Sequence, residues 1–376
     1  MPIQIFQPSY RVDECLSEIR DCLEKGWTGL GFKTIAFEDA WKDYTGLPYA
    51  HFLNSATAGL HLAVALLKRH EGWDDGDEII STPLTFVSTN HVILHTGLKP
   101  VFADVDEYMC LDPIDVERKI TTKTRAIMFV GIGGNTGQLQ AVSDLCRERG
   151  LKLILDAAHL SGTKLHTRDP GHFADAAIYS FQAVKNLPTA DSGMVCFQDP
   201  ELDAAVRRMS WLGISQDTYQ RSGVKGSYKW MYDVDEVGFK YHGNSIMAAI
   251  GLVQLKYLDE DNAYRRQIGG WYDTGFSGNK AIQPIPIAAG CDTSQHFYQV
   301  AVDDRDKVIL GLYDQGIFPG VHYRDNTDYP MYSQAKGSCP AAHAMSERIL
   351  SLPVHLNLTR DDIGVVVDAL IELVGS

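Results

Sequence analysis

The chain has no long apolar run, no paired cysteine spacing and no excess of positive charge. Each absence excludes something. No stretch approaches the roughly 18 apolar residues needed to span a bilayer, so no membrane segment is expected. The seven cysteines stand at Cys15, Cys22, Cys110, Cys146, Cys196, Cys291 and Cys339, an odd number with no C-x-x-C pair. That spacing predicts neither a disulfide framework nor a zinc site, and scattered free thiols fit a reducing cytoplasm. The first residues, MPIQIFQPSYRVDE, lack a basic stretch followed by an apolar one, so no signal peptide is expected. Lys and Arg total 34 against 48 Asp and Glu, a net charge of −14. This disfavours a nucleic-acid polymer or an anionic membrane as partner. It leaves room for a small anion held in one local pocket. Repeats and low-complexity tracts are also absent.

What remains is 376 residues of ordinary globular composition, 45% hydrophobic and 22% charged. The length predicts two domains. From about residue 50, helical and strand patterns alternate. Ala56–Leu67 carries an apolar helical face. Short strands are expected at 77–80, 99–105, 126–130, 151–155, 176–180 and 193–197, with a helix over 142–148 stopped by Gly150. Such alternation predicts an α/β domain with a largely parallel sheet. A long helix is expected over Ser245–Leu258 and an amphipathic one over Asp361–Leu373. We divide the chain into a large domain, 1–255, and a smaller C-terminal one, 256–376.

Four segments fall at strand ends or loop-to-helix turns, where open α/β sheets bind ligands. Asp156 closes an apolar strand and is followed by Ala157, Ala158 and His159. A buried carboxylate there needs a partner, although a helix-capping Asp is the plain alternative. Ser180 closes another strand, and Lys185 follows in the loop. A desolvated lysine is a Schiff-base nucleophile, whereas most lysines are simply solvated. Asn54–Leu60 opens a helix with small and hydroxyl residues, either an ordinary cap or an anion cradle. Ser81–Phe86 places an aromatic ring past a strand end, as core or as platform. Together an anion cradle, an aromatic platform, a buried carboxylate and an amine match what pyridoxal 5'-phosphate (PLP) needs.

The ordered segments SATAGLHLA, TPLTF, PVFADVD, LDAAH, YSFQAVKN, DSGMV and KYHGNSIMAAIGLVQL resemble the DegT/DnrJ/StrS family. HFYQV, GVHYR and LPVHLNLTRDDI extend the match from about Phe37 to the C-terminus. The resemblance implies a fold-type-I, aspartate-aminotransferase-like enzyme with a mostly parallel mixed sheet and a smaller C-terminal α+β domain. It implies an aminotransferase that cycles PLP and its amine form (PMP) and no metal. The donor would be L-glutamate. The acceptor would be a nucleoside-diphosphate 4-keto-6-deoxy-sugar (or a 3-keto one), in amino-sugar and polysaccharide biosynthesis.

By the same resemblance Lys185 carries the cofactor, Asp156 pairs with its ring nitrogen, Phe86 stacks on it and His159 lies beside it. Ala56, Thr57, Ala58 and Ser180 would hold the phosphate. The segment matching Lys240–Asn244, with His242 and Asn244, would reach a neighbouring subunit's site, so a homodimer is implied. Asn135, Lys240, His322, Tyr323 and Arg324 would lie toward the substrate. Arg221, Lys225 and Lys229, with Arg324, are candidates for its diphosphate.

Departures stand at Ala190-Asp191-Ser192-Gly193, where the family often has Gly-Glu-Gly-Gly, and at Lys240-Tyr241-His242-Gly243, where Asn or Arg is common. The retained Lys185 favours transamination over dehydration, since family dehydratases carry histidine there. Transamination of a cyclitol or sugar phosphate, sugar dehydration, and a non-catalytic regulatory or binding protein on the same fold are the alternatives. The run Gly131-Ile132-Gly133-Gly134-Asn135-Thr136-Gly137 resembles a dinucleotide fingerprint, but Thr136 stands where the third glycine belongs.

Overall fold

A computed structural model describes residues 2–215 and 232–375. Arg221, Lys225 and Lys229 lie outside the described residues. Seven strands form the central sheet: β1 His51–Leu53, β2 Glu78–Ser81, β3 Lys99–Phe102, β4 Thr124–Val130, β5 Lys152–Asp156, β6 Ala176–Ser180 and β7 Gly193–Phe197. Their order is β1-β7-β6-β5-β4-β2-β3. Pairings from β3 through β6 are parallel, while β7 runs antiparallel to both neighbours. The sheet is therefore mixed and mostly parallel. β6 and β7 are buried along their whole lengths, as strands covered on both faces must be. One face packs against Phe37, Trp41, Leu139 and Val142; the other against Leu60, Leu62, Val92 and Val206.

The parallel strands deliver Asp156 and Ser180 to one edge of the sheet, beside the start of the helix Ala56–Glu71. Gly193 makes that placement possible, because a Cβ there would stand 2.6 Å from the Ala56 nitrogen.

Beyond residue 256 a second core gathers Ile268, Tyr272, Val300, Leu312, Leu350 and Leu370. It surrounds a three-stranded antiparallel sheet of β8 Gln283–Pro284, β9 Tyr298–Ala301 and β10 Ile349–Leu352. The N-terminal arm joins this part, since Ile3–Gln4 pairs in parallel with Ile317–Phe318. No described helix is long and apolar enough to cross a membrane.

One expectation needs correction. The single helix expected over Ser245–Leu258 is two, Ser245–Leu255 and Leu258–Phe276. Tyr257 breaks the run at φ −108° and ψ −1°. The acidic residues Asp259, Glu260 and Asp261 then suit the positive end of a new helix. The two helices and the strand before β2, at Val12–Glu24, Phe32–Thr45 and His51–Leu53, precede the first pattern read from the sequence or sit at its start.

Candidate active site

A cavity of about 430 Å³ opens at the carboxyl edge of the sheet. Asp156, at the end of β5, is buried in its wall. Thr89 Oγ1 donates to its Oδ2 at 2.7 Å, and the Ala158 N–H donates to Oδ1 at 3.2 Å. Burial pushes the carboxyl above its ordinary range, against these donors and the charge of Lys185. Such a group is poised to pair with a buried cationic N–H.

Lys185 lies on the loop after β6. Its own N–H donates to Gln182 O at 2.8 Å, and Gln182 Oε1 accepts from Val184 N at 3.0 Å, so the loop is tied down. Burial lowers the amine to about 8, with Asp156 opposing the shift. About a tenth of the amine is then the free nucleophile at pH 7, far more than for a solvated lysine.

Ser55, Ala56, Thr57 and Ser180 line the far end of the cavity. The Ser55 hydroxyl caps the helix by accepting from Ala58 N at 3.1 Å. That bond occupies the Ala58 N–H, and Ala58 does not line the cavity. The first-turn N–H groups of Ala56 and Thr57 remain for an anion. Phe86, 58% exposed, stands at the mouth with its ring 6.2 Å from that of Tyr323.

His159 is buried in the wall and held neutral by burial, Lys185 and His322. The Gly133 N–H donates to its Nδ1 at 3.2 Å, which puts the imidazole proton on Nε2. Nε2 in turn meets Tyr323 Oη at 3.2 Å. Tyr323 accepts from His159, and its own proton is free for the cavity. His322 also lines the cavity; burial and Lys185 lower it to about 3.

The other expected residues lie apart. Asn135 clamps a turn, donating to Pro286 O at 2.9 Å and accepting from Gly137 and Ala288 N–H groups. Lys240 sets Nζ 3.3 Å above the Trp211 ring. His242 packs edge-on to Trp211 at 4.3 Å, and Asn244 caps the helix Ser245–Leu255. The exposed Arg324 faces the Tyr329 ring at 5.3 Å and pairs with Asp328. None of these five lines the cavity of its own chain.

Thr89, His296 and Phe6 carry no assignment from the sequence, although His296 opens one of the family-like segments. Thr89 is defined by a carboxylate 67 residues away. Phe6 and His296 line the cavity from the N-terminal arm and the C-terminal part. No local pattern marks either.

The family model for the DegT/DnrJ/EryC1/StrS aminotransferase family matches residues 10–371. The chain belongs to that family. It is 34% identical over 373 residues to dTDP-4-dehydro-2,3,6-trideoxy-D-glucose 4-aminotransferase of Saccharopolyspora spinosa, covering 97% of this chain and 95% of that protein. The aminotransferase TlmJ from Streptoalloteichus hindustanus superposes with a TM-score of 0.92 at 32% identity, covering 100% and 99% of the two chains. The sugar aminotransferase CalS13 from Micromonospora echinospora superposes with a TM-score of 0.89 at 29% identity over 98% of this chain and 99% of that one. As a member of this aminotransferase family, the chain is an enzyme of fold type I, with the mixed, mostly parallel sheet described above.

Proposed function

We propose that this enzyme is a PLP-dependent sugar aminotransferase. It moves an amino group from an amino acid, L-glutamate, to the keto group of a nucleoside-diphosphate 4-keto-6-deoxy-sugar (or its 3-keto counterpart) in amino-sugar biosynthesis. The observation that carries the reading is the shared cavity of a half-buried Lys185 amine with a lowered pKa and a buried Asp156 carboxyl, beside open helix N–H groups.

The donor set fits the cofactor. Asp156 would hold its ring N–H, and Lys185 Nζ would bond its carbonyl carbon. Ser180, Thr57 and the Ala56 and Thr57 N–H groups would hold its phosphate, and Phe86 would cover one ring face. When bound, PLP supplies an electron sink that makes the donor's α-hydrogen acidic. Lys185 Nζ takes that proton as base and returns it as acid, a task suited to a pKa near neutrality. His159 keeps Nε2–H toward Tyr323, so the tyrosine hydroxyl is the donor presented to the substrate.

The active unit we propose is a homodimer with shared sites, in the cytoplasm. Exposed apolar side chains support it. Phe86 lines the cavity and is exposed, Leu94 and Met331 are exposed as well, and Val237, 93% exposed, precedes the Lys240 segment. Exposed apolar side chains of this size are what a partner subunit covers.

The purified protein is expected to be yellow. Borohydride should fix the cofactor onto Lys185, and glutamate should yield 2-oxoglutarate when a keto sugar is supplied. Lys185→Ala should lower turnover about 10³-fold or more. A Lys185→Ala protein that still transaminates would sink the mechanism. Turnover with cyclitol ketones but not with nucleotide sugars would replace the acceptor class.

A further inference from the structure

The segment Ser294–Phe297 grips His159 from main chain to ring. Ser294 Oγ donates to the His159 carbonyl at 2.7 Å. The His296 N–H donates to Gly133 O at 3.0 Å, and the Gly133 N–H is the donor to His159 Nδ1. The His296 ring then stacks on the His159 ring, 4.4 Å between centroids and 27° between planes. Phe6 covers the other face of His296 at 5.1 Å and 18°. His159 in turn lies nearly parallel to Tyr323, 6.2 Å away.

The edge of His296 is fixed as well. Asn186 Nδ2 spends its two hydrogens on Asn262 Oδ1 and Ser294 O, both at 2.7 Å. Its Oδ1 is therefore the acceptor for His296 Nδ1–H at 2.8 Å. Asn262 is oriented by its own bond to Ser161 O at 3.0 Å. The whole chain of amides thus rests on main-chain carbonyls, and the His296 ring cannot turn without breaking it.

We propose that His296 is a positioning residue: clamped between Phe6 and His159 and locked by Asn186, it fixes the ring plane of His159. Without that slab only two long hydrogen bonds and the edge of Phe297 resist rotation of the imidazole about Cβ–Cγ. Rotation takes Nδ1 off Gly133 and Nε2 off Tyr323, and with them goes the orientation of the tyrosine proton. The inference rests on the aminotransferase reading only in placing His159 at the reaction. The cofactor-free protein can be tested for it without turnover.

The test is ¹⁵N-histidine NMR of the full-length protein, with His296→Ala, His296→Phe and Phe6→Ala. In the wild type, His159 should report the Nε2–H tautomer with no titration through the neutral range. His296→Ala should mix the tautomers and bring the titration of His159 upward. It should also lower kcat of the holoenzyme about ten- to a hundredfold with KM for glutamate little changed. His296→Phe, which keeps a flat slab but loses the Asn186 lock, should restore the tautomer and kcat in part. Phe6→Ala should give a weaker form of the alanine result, and it serves if His296→Ala fails to fold. An unchanged His159 tautomer and pH profile in a folded His296→Ala or Phe6→Ala protein would overturn the proposal. A wild type with the expected tautomer response but no glutamate-dependent turnover would instead overturn the proposed function and leave the positioning role standing.

Discussion

Glu38 is buried in a cluster that ties the helix Phe32–Thr45 to β1 and to the helix Pro200–Met209. Its Oε1 accepts from His51 Nδ1 at 2.9 Å and from Phe52 N at 2.8 Å, and its Oε2 pairs with Arg207 at 2.7 Å. His51 Nε2 reaches Ser210 Oγ at 2.7 Å, and Arg207 also holds Ala50 O. Burial opposes the carboxylate, but His51 and Arg207 outweigh it and hold Glu38 at about 2. A folded pKa below the unfolded value gives stability that is present above about 4.5 and lost as pH falls toward 2. Glu38→Gln should therefore cost about 2 kcal/mol at pH 7, because it removes the buried charge that accepts from His51 and Arg207, while Arg207 keeps Asp203 and the Ala50 carbonyl. Urea unfolding should show the gap between the two proteins narrowing as pH falls through that window. At this scale the sequence was a partial guide. Asp156, Ser180 and Lys185 were legible because each closes a local strand pattern or follows one. Glu38, Thr89 and His296 were not, because their partners lie 13, 67 and 110 residues away in the chain.

The same division holds for elements. The helix over Leu139–Arg149 and its stop at Gly150 follow from local periodicity and a left-handed glycine, φ 66°. The glycine run after β4 follows from a contact that periodicity cannot show. Gly133 and Gly134 adopt φ of 64° and 97°, and a Cβ on Gly134 would stand 2.5 Å from Ser294 Oγ and 2.9 Å from the Gln295 nitrogen. The spacing that resembles a dinucleotide fingerprint thus serves to bring two loops together. Asn135, expected near the substrate, belongs to the same clamp. Gly134→Ala should cost about 2 kcal/mol or more, since left-handed strain and a backbone clash combine. It should also lower kcat more than KM, because the displaced loop is the one that holds His159. Thermal unfolding and steady-state kinetics on one preparation check both effects.

At the scale of the whole molecule, the charge of −14 opposes the anionic ligands of the proposed function. Local devices must overcome it: the N–H groups at Ala56 and Thr57, the Ser180 hydroxyl and Lys185 within one cavity. The own chain brings no arginine to that cavity among the described residues. A cation from a second subunit would supply what is missing, and Lys240 is the candidate. Its Nζ rests on Trp211, outside its own cavity. Its carbonyl accepts from Asn54 Nδ2 at 3.3 Å, one residue before the helix cap. Mixing two variants tests the arrangement. Lys185→Ala and Lys240→Ala homodimers should each be impaired. If Lys240 serves the neighbour's site, a mixed dimer carries both lesions in one site and neither in the other. Statistical mixing should then restore roughly a quarter of wild-type activity, since half the dimers are mixed and each has one intact site. If Lys240 serves its own site, every site in the mixed dimer carries one lesion and nothing returns. Full activity of Lys240→Ala alone, or no recovery on mixing, would overturn the shared site. Recovery that tracks the fraction of mixed dimers would place the missing positive charge across the subunit boundary, where a single folded chain cannot provide it.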